Sequence, residues 1–449
     1  MKLEKIKNDD FTEINKIATP ILASSFVEVI FNVADQAIIG RTNVVGYASV
    51  GIAANLIYIL TGTIGILSLA FSILFGQALG REDKKEAESI FQTAITLAIL
   101  IGAFFGVFCI LFGKSFLSQV YGLDNEMLEC AYDYLKIAGW GLGLNTIIFV
   151  LSAYFKNLKR TEVHFYATVV SLIVNFVLDY VLVFGKLGAP AMGVKGAAIG
   201  TVLGLAVYMC IYIWHYKRVN YMLYKPFINK YWLHKIMKLY IPLLSQDFVE
   251  GTLFVLIITA IITRFNVYAV ASYNLLEAVS GIISLPIFVY AGTALTLVTQ
   301  NLKNVDNIKR YCFVAYLCSL FFVASIGGLF VLFPEITSSI ITSDRVLIEA
   351  ASGFFVLIVS IQIFNITNQM FKYCLQGVSQ ETWVLIFSTV ISAITCGIVY
   401  ILSYVLKLEL VGVYIGILIE YIILSMGYCW KFSRSIGGAN IDAEGEING

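Results

Sequence analysis

The chain reads as an all-α integral membrane protein with twelve transmembrane helices in two six-helix halves. Three observations predict this. Of 449 residues, 59% are hydrophobic and only 13% charged, against about 25% charged in ordinary soluble domains. No soluble core buries that much apolar surface, so the bilayer must act as solvent. Apolar runs long enough to span it (about 20 residues) recur twelve times. Third, the chain repeats itself: residues 16–49 return near 238–272. Pro20 falls on Pro242, Phe26-Val27-Glu28 on Phe248-Val249-Glu250, and Arg41-x-Asn43-Val44 on Arg264-x-Asn266-Val267.

The first six spans run roughly 16–39, 51–78, 90–113, 131–155, 163–185 and 196–215. The second six run roughly 238–263, 274–300, 311–333, 347–374, 382–406 and 410–432. The first begins near Ile17, is too long for a signal-peptide core and lacks an A-x-A cleavage site, so it is expected to stay as a spanning helix. Pro20 and Pro242 are expected to start their helices, where proline is tolerated, and Pro286 to kink the eighth span. Gly188-Ala-Pro-Ala-Met-Gly193 reads as a short turn before the sixth. Late in each half, Gly196-x-x-Ile199-Gly200 matches Gly412-x-x-Ile415-Gly416. An even number of spans per half makes the halves parallel repeats, related by an axis along the membrane normal. The expected division is an N-terminal lobe at 1–215, a basic linker at 216–237, a C-terminal lobe at 238–434 and a disordered polar tail at 435–449. The linker has two open readings, an interfacial helix on anionic lipid and an inner loop that obeys the charge rule.

Lysine and arginine orient the spans. With the N-terminus inside, the outer segments hold only Arg41, Lys114, Lys186, Lys195, Arg264, Arg345 and Lys407. Most of the other basic residues collect inside, which puts both termini in the cytoplasm of a cell-membrane protein. The net charge of +1 argues against nucleic acid. Eight scattered cysteines without a C-x-x-C pair read as core residues rather than disulfides or a zinc site. No nucleophile–base spacing, P-loop or H-E-x-x-H occurs, so an enzyme is not expected. The three histidines, His164, His215 and His234, read as isolated interfacial residues.

The acids inside the apolar runs carry the functional signal, because a charge in hydrocarbon costs about 2.5–3.5 kcal/mol even on lenient scales. Glu28, Asn32 and Asp35 share one face of the first span, and Asn175 and Asp179 one face of the fifth. Asp35 lies five residues inside Gly40, Asp179 six inside Gly185, and Thr201 six inside Lys195. At 1.5 Å per residue all three sit about 7–9 Å below the outer helix ends. Two carboxylates, an amide and a hydroxyl at one level can hold a proton or a sodium ion. Two close carboxylates in low dielectric also split their titrations. The competing reading is a hydrogen-bonded knot that ties the three spans together. In the second half Ile257 replaces Asp35 and Ile417 replaces Thr201, so the site is expected in one half only. Asp247 and Glu250 lie on the seventh span. Glu28 and Glu250 occupy equivalent places, either lining a shared cleft or forming a matched structural pair.

Pro20 with Asp35 and Gly40, the segment GQALGRED after the second span, NFVLDYVLVFG in the fifth and GAPAMGVKGAAIGT entering the sixth resemble the multidrug and toxic compound extrusion (MATE) family. The resemblance covers nearly the whole chain. It implies two six-helix lobes in a V around a central cleft, exporting organic cations in exchange for protons or sodium. Its DinF-like branch implies an N-lobe ion site at Asp35, Asn175, Asp179 and Thr201. The sodium-linked NorM-like branch matches at Glu250, but its tenth-span acid falls on Asn365, and Gln376 stands where an arginine is usual. Glu28, Asn32, Asp247, Glu250 and Asn365 are therefore expected as cleft residues. The expected partners are a small organic substrate and membrane lipid, with no cofactor beyond the coupling ion and a monomeric protein. The alternative function is a lipid-linked glycan flippase of the same superfamily, for whose anionic headgroup only Lys136 and Lys372 are candidate partners.

Overall fold

The computed structural model describes residues 8–39, 44–123, 125–219, 227–339, 341–342 and 344–437. Its first half holds α1 (Asn8–Ile39), α2 (Val44–Gly80), α3 (Lys84–Tyr121), α4 (Asn125–Asn157), α5 (Glu162–Phe184) and α6 (Val194–Val219). The second half opens with α7 (Lys230–Asp247), which passes through a π-helical turn at Phe248–Leu253 into α8 (Phe254–Ile262). Then come α9 (Val267–Gln300), α10 (Val305–Leu332), the short α11 (Pro334–Ser338), α12 (Arg345–Ser352) and α13 (Phe355–Gly377). Last are α14 (Glu381–Tyr400), which ends in a π-helical turn at Ile401–Val405, and α15 (Glu409–Gly437). Eleven of the described helices are long and apolar enough to cross a membrane, and twelve if α12 and α13 form one span.

Three elements differ from expectation. Pro20 and Pro242 lie inside α1 and α7 rather than at their starts. The residues ahead of each proline, NDDFTEINKIAT and KYWLHKIMKLYI, mix apolar and polar side chains at helical spacing, and the helix extends beyond the apolar run. The tenth span is broken: α12 and α13 meet at 55°, at Gly353, where the chain leaves the helix for a turn. Pro286 sits within α9, which continues through it as one helix. Of the linker, residues 230–237 form the start of α7, and 220–226 lie outside the described residues. The tail expected to be disordered, beyond 437, lies outside them too.

The chain divides into two compact units, Thr19–Tyr240 and Met1–Ala18 with Ile241–Gly449. Both boundaries fall next to the repeated prolines. Within the second unit the start of α1 is tied down by Asp10 to Arg310 (3.3 Å), Tyr311 Oη donating to Glu13 (2.6 Å), and Tyr290 Oη donating to Asn15 (2.7 Å).

Each unit is organised around one central helix. In the N-terminal unit α4 packs on α2, α3 and α6, and α5 on α6; in the C-terminal unit α13 packs on α9, α10 and α15, and α14 on α15. This is the same arrangement twice, as the sequence repeat requires. Outward surfaces such as Phe104, Leu111 and Phe112 of α3 or Phe321 and Leu329 of α10 are exposed and apolar, as a lipid-facing surface must be.

Small residues set the closest helix approaches, the usual device where lipid removes the hydrophobic drive between helices. A Cβ on Gly102 of α3 would overlap the Cα of Gly143 in α4. Gly102→Leu should therefore push α3 off α4 and cost about 1–3 kcal/mol, as overpacking does. Thermal unfolding in detergent checks this, and an unchanged midpoint would show that the two helices can part freely.

Candidate ion-coupling site

The N-terminal unit brings Asp35 and Asp179 into direct contact. Asp179 is fully buried, while Asp35 is partly so. Asn175, one turn before Asp179 on α5, turns its amide N–H to Asp179 Oδ2 at 3.2 Å. The remaining oxygen, Asp179 Oδ1, and Asp35 Oδ1 of the neighbouring acid are both buried without a hydrogen-bond partner. Two ionised carboxylates are acceptors only, so neither can satisfy the other. A single proton held between them, or a cation, would satisfy both.

The helix path explains the burial. A Cβ at Gly196 would come within 2.7 Å of the Leu182 backbone, so α6 runs directly against α5. One turn on, a Cβ at Gly200 would overlap Asp179 Oδ1 and stand 3.0 Å from its Cγ. The carboxyl thus lies flat on the α6 backbone, in space that only glycine leaves free. At the matching Gly416 of α15 that space is filled by Val399. The two copies share one backbone device, and only one places an acid in it.

Thr201 donates to the Ala197 carbonyl at 3.0 Å and stands near Tyr134 of α4. Tyr134 is buried and lies within electrostatic reach of both Asp35 and Asp179. Nothing in its sequence neighbourhood marks it, since 26 tyrosines are spread through the chain. The site therefore draws on four helices rather than three. Tyr134→Phe keeps the ring and removes a polar hydroxyl beside the acids, a change on the scale of one hydrogen bond, about 0.5–1.5 kcal/mol. Gradient-driven transport should fall roughly two- to tenfold with the loss of that hydroxyl, and an unchanged rate would place Tyr134 outside the working site.

Among the described residues no group of three or more His, Cys, Asp or Glu side chains could hold a metal ion. For sodium the available oxygens are the two carboxylates with the Asn175 carbonyl and the Thr201 hydroxyl. Asn175, however, presents an N–H, and Thr201 spends its proton on its own helix. Asn175 thus donates to the pair, whereas the Thr201 oxygen, its proton given to Ala197, can still accept.

The other expected cleft residues fall in both units. Asn32 is exposed. Glu28 lies within electrostatic reach of Tyr208 and Tyr212, near a second polar group of this unit. There Tyr208 Oη and Tyr212 Oη lie 2.8 Å and 2.9 Å from His164 Nδ1, and Thr168 Oγ1 lies 2.8 Å from Tyr208 Oη. His164 is therefore not the isolated residue its position suggested. Two of its partners are more than forty residues away in sequence, on α6. In the C-terminal unit Asp247 is exposed and Glu250 is paired with Lys372 at 3.1 Å. Asn365 is buried in an amide chain on α13, donating to Gln362 at 2.9 Å and accepting from Gln369 at 3.2 Å.

The MatE family profile matches residues 20–181. The chain is 26% identical to the probable multidrug resistance protein NorM of Thermotoga maritima over 430 residues, covering 92% of this chain and 90% of that one. It is 23% identical to the probable multidrug resistance protein YoeA of Bacillus subtilis, covering 92% and 91%. A MOP-superfamily transporter from Pyrococcus furiosus superposes with a TM-score of 0.86 at 18% identity, covering 98% of this chain and 99% of that one.

The chain is thus similar to MATE proteins, by profile over residues 20–181 and in fold over nearly its whole length. A second solved structure, an outward-facing multidrug resistance MATE transporter, gives the same TM-score of 0.86 at 18% identity over 98% and 99% of the two chains. The apolar helices and the transporter-named relatives together support a multi-pass membrane protein. The profile match ends just past Asp179 and so takes in Asp35, Asn175 and Asp179.

Proposed function

We propose that this chain is a MATE-type secondary antiporter of the DinF-like kind, exporting amphipathic organic cations in exchange for protons carried by the Asp35–Asp179 pair. The observation that carries the reading is the pair of neighbouring, unpartnered carboxylate oxygens, a group that is incomplete until it takes up a positive charge. The donor character of Asn175 favours a proton over sodium. The multidrug resistance names of the full-length relatives support the export of diverse drugs.

In this account both termini are cytoplasmic, and the Gly185 end of α5 faces outward. A proton enters the pair from outside, neutralises it and lets α1, α5 and α6 pack without a buried charge. That favours the state that has released substrate. After reorientation the proton leaves, the pair regains its charge, and the cation-binding state is favoured again. Coupling requires only that proton and substrate prefer different states. One proton in for one monovalent cation out moves no net charge, so the pH gradient drives the exchange, with about 1.4 kcal/mol for each pH unit.

The flippase alternative calls for several cations at an anionic headgroup, and both of its candidates already face carboxylates. Lys136 pairs with Asp133, which also binds Lys195 at 3.0 Å, and Lys372 pairs with Glu250.

The test is uptake of a fluorescent organic cation into proteoliposomes under an imposed pH gradient without sodium, and under a sodium gradient at constant pH. Uptake driven by the pH gradient alone supports the reading. A requirement for sodium reassigns the coupling ion, and no uptake under either gradient overturns the export assignment.

A further inference from the structure

Outside the ion-coupling pair, the most developed charged cluster of the molecule lies in the C-terminal unit around Glu250. This residue sits on the π-helical turn Phe248–Leu253, a departure from α-helix that is frequent at functional sites because it re-aims side chains. Both of its carboxylate oxygens are engaged. Lys372 Nζ, from α13, lies 3.1 Å from Oε2, and Gln246 Nε2 donates to Oε1 at 2.7 Å. Gln246 is held in turn by Gln376 Nε2, which donates to its Oε1 at 3.0 Å.

The two glutamines are buried, whereas the charged partners are not sealed: the Lys372 and Glu250 side chains keep 14% and 22% of their exposure. Asp247 is exposed and within electrostatic reach of Lys372. Glu420, buried and hydrogen-bonded by Ser392 at 2.6 Å, is within reach of Glu250. The cluster therefore carries three acids against one lysine. That lysine is a flexible point charge rather than a planar fork, so it can leave Glu250 for Asp247 without losing a counter-charge.

We propose that Lys372 is a tethered cation that occupies the cation position at Glu250 and is displaced when a substrate cation binds there. The proposal deepens the export reading and rests on it. The substrate class it implies is a monovalent cation with a substantial apolar body. Such a molecule replaces the ammonium charge and adds apolar contact, whereas a bare sodium ion only exchanges one hydrated cation for another. Lys372 thus raises the affinity threshold for every cation and keeps this unit indifferent to sodium. It is a specificity-determining residue.

The experiment is equilibrium binding of a fluorescent lipophilic monocation to the detergent-solubilised full-length protein, by fluorescence anisotropy, for wild type, Lys372→Met, Lys372→Arg, Glu250→Gln and the double variant Lys372→Met/Glu250→Gln. Sodium- and choline-containing buffers are compared by thermal unfolding in parallel. Lys372→Met is expected to tighten binding several-fold and to gain a sodium-dependent rise in Tm, both lost in the double variant. Lys372→Arg, whose fork grips a carboxylate in two places, is expected to bind the monocation more weakly than wild type. This arm stands even if the methionine variant does not fold.

A lysine that merely positions Glu250 gives the opposite signs: methionine weakens binding as much as Glu250→Gln does, and arginine preserves it. That pattern, or no change in either variant, overturns the proposal while leaving cation export intact. If the wild-type protein binds no monocation but Lys372→Met gains the Glu250-dependent sodium response, the tethered cation stands and the export reading falls.

Discussion

Replacing Asp179 by asparagine is expected to abolish gradient-driven transport while the protein remains folded. The substitution is isosteric, and an amide beside Asp35 can donate where the carboxylate could only accept. The packing of α5 on α6 therefore survives, and the orphaned oxygen of Asp35 gains a donor. What disappears is the ability to take up and release a proton. Uptake in proteoliposomes should fall to the passive leak under either gradient. Asp35→Asn should do the same, and the double variant should be no worse than either single one, because residues that act as one unit are not additive. Residual driven transport in Asp179→Asn would mean that Asp35, or another acid, couples alone.

Gly200→Ala should have the next largest effect, although it changes no polar group. Its Cβ would overlap Asp179 Oδ1, so the carboxyl must leave the α6 backbone and with it Asp35. Forcing a methyl group into a filled space costs about 1–3 kcal/mol, equivalent to roughly 5- to 150-fold in a coupling equilibrium. The matched control is Gly416→Ala, which meets Val399 instead. It should lower the thermal midpoint and leave driven uptake per folded molecule close to wild type. Equal losses of transport in the two variants would show that the effect is general packing damage and not displacement of the acid.

Much of the N-terminal site was legible in the sequence because the signals were local and costly. Asp35 and Asp179 stand in apolar runs where a charge needs a reason, and Asn175 is one helical turn from Asp179. Gly196 and Gly200 stood out as a repeated pair, yet their partners across the helix interface did not. Tyr134 was invisible because its role depends on where α4 passes the acids, and no local pattern encodes that. The same limit hid the Lys372–Glu250 pair and the bonds of His164 to Tyr208 and Tyr212, whose members are far apart in the chain. The prolines misled for a different reason. The composition changes near Pro20 and Pro242, but the helix does not begin there, since the preceding residues are good enough helix formers to continue it. The break between α12 and α13 lies within one apolar stretch, where hydropathy alone cannot register a turn.

The most direct test of the central claim is proton release on substrate binding. A fluorescent lipophilic cation is added to the purified protein in weakly buffered, sodium-free detergent solution, and the pH change is followed for wild type, Asp35→Asn and Asp179→Asn. The account predicts release of up to one proton per bound cation by the wild type and none by either variant. Undiminished release from the variants, or substrate binding by the wild type with no proton released unless sodium is present, would contradict it.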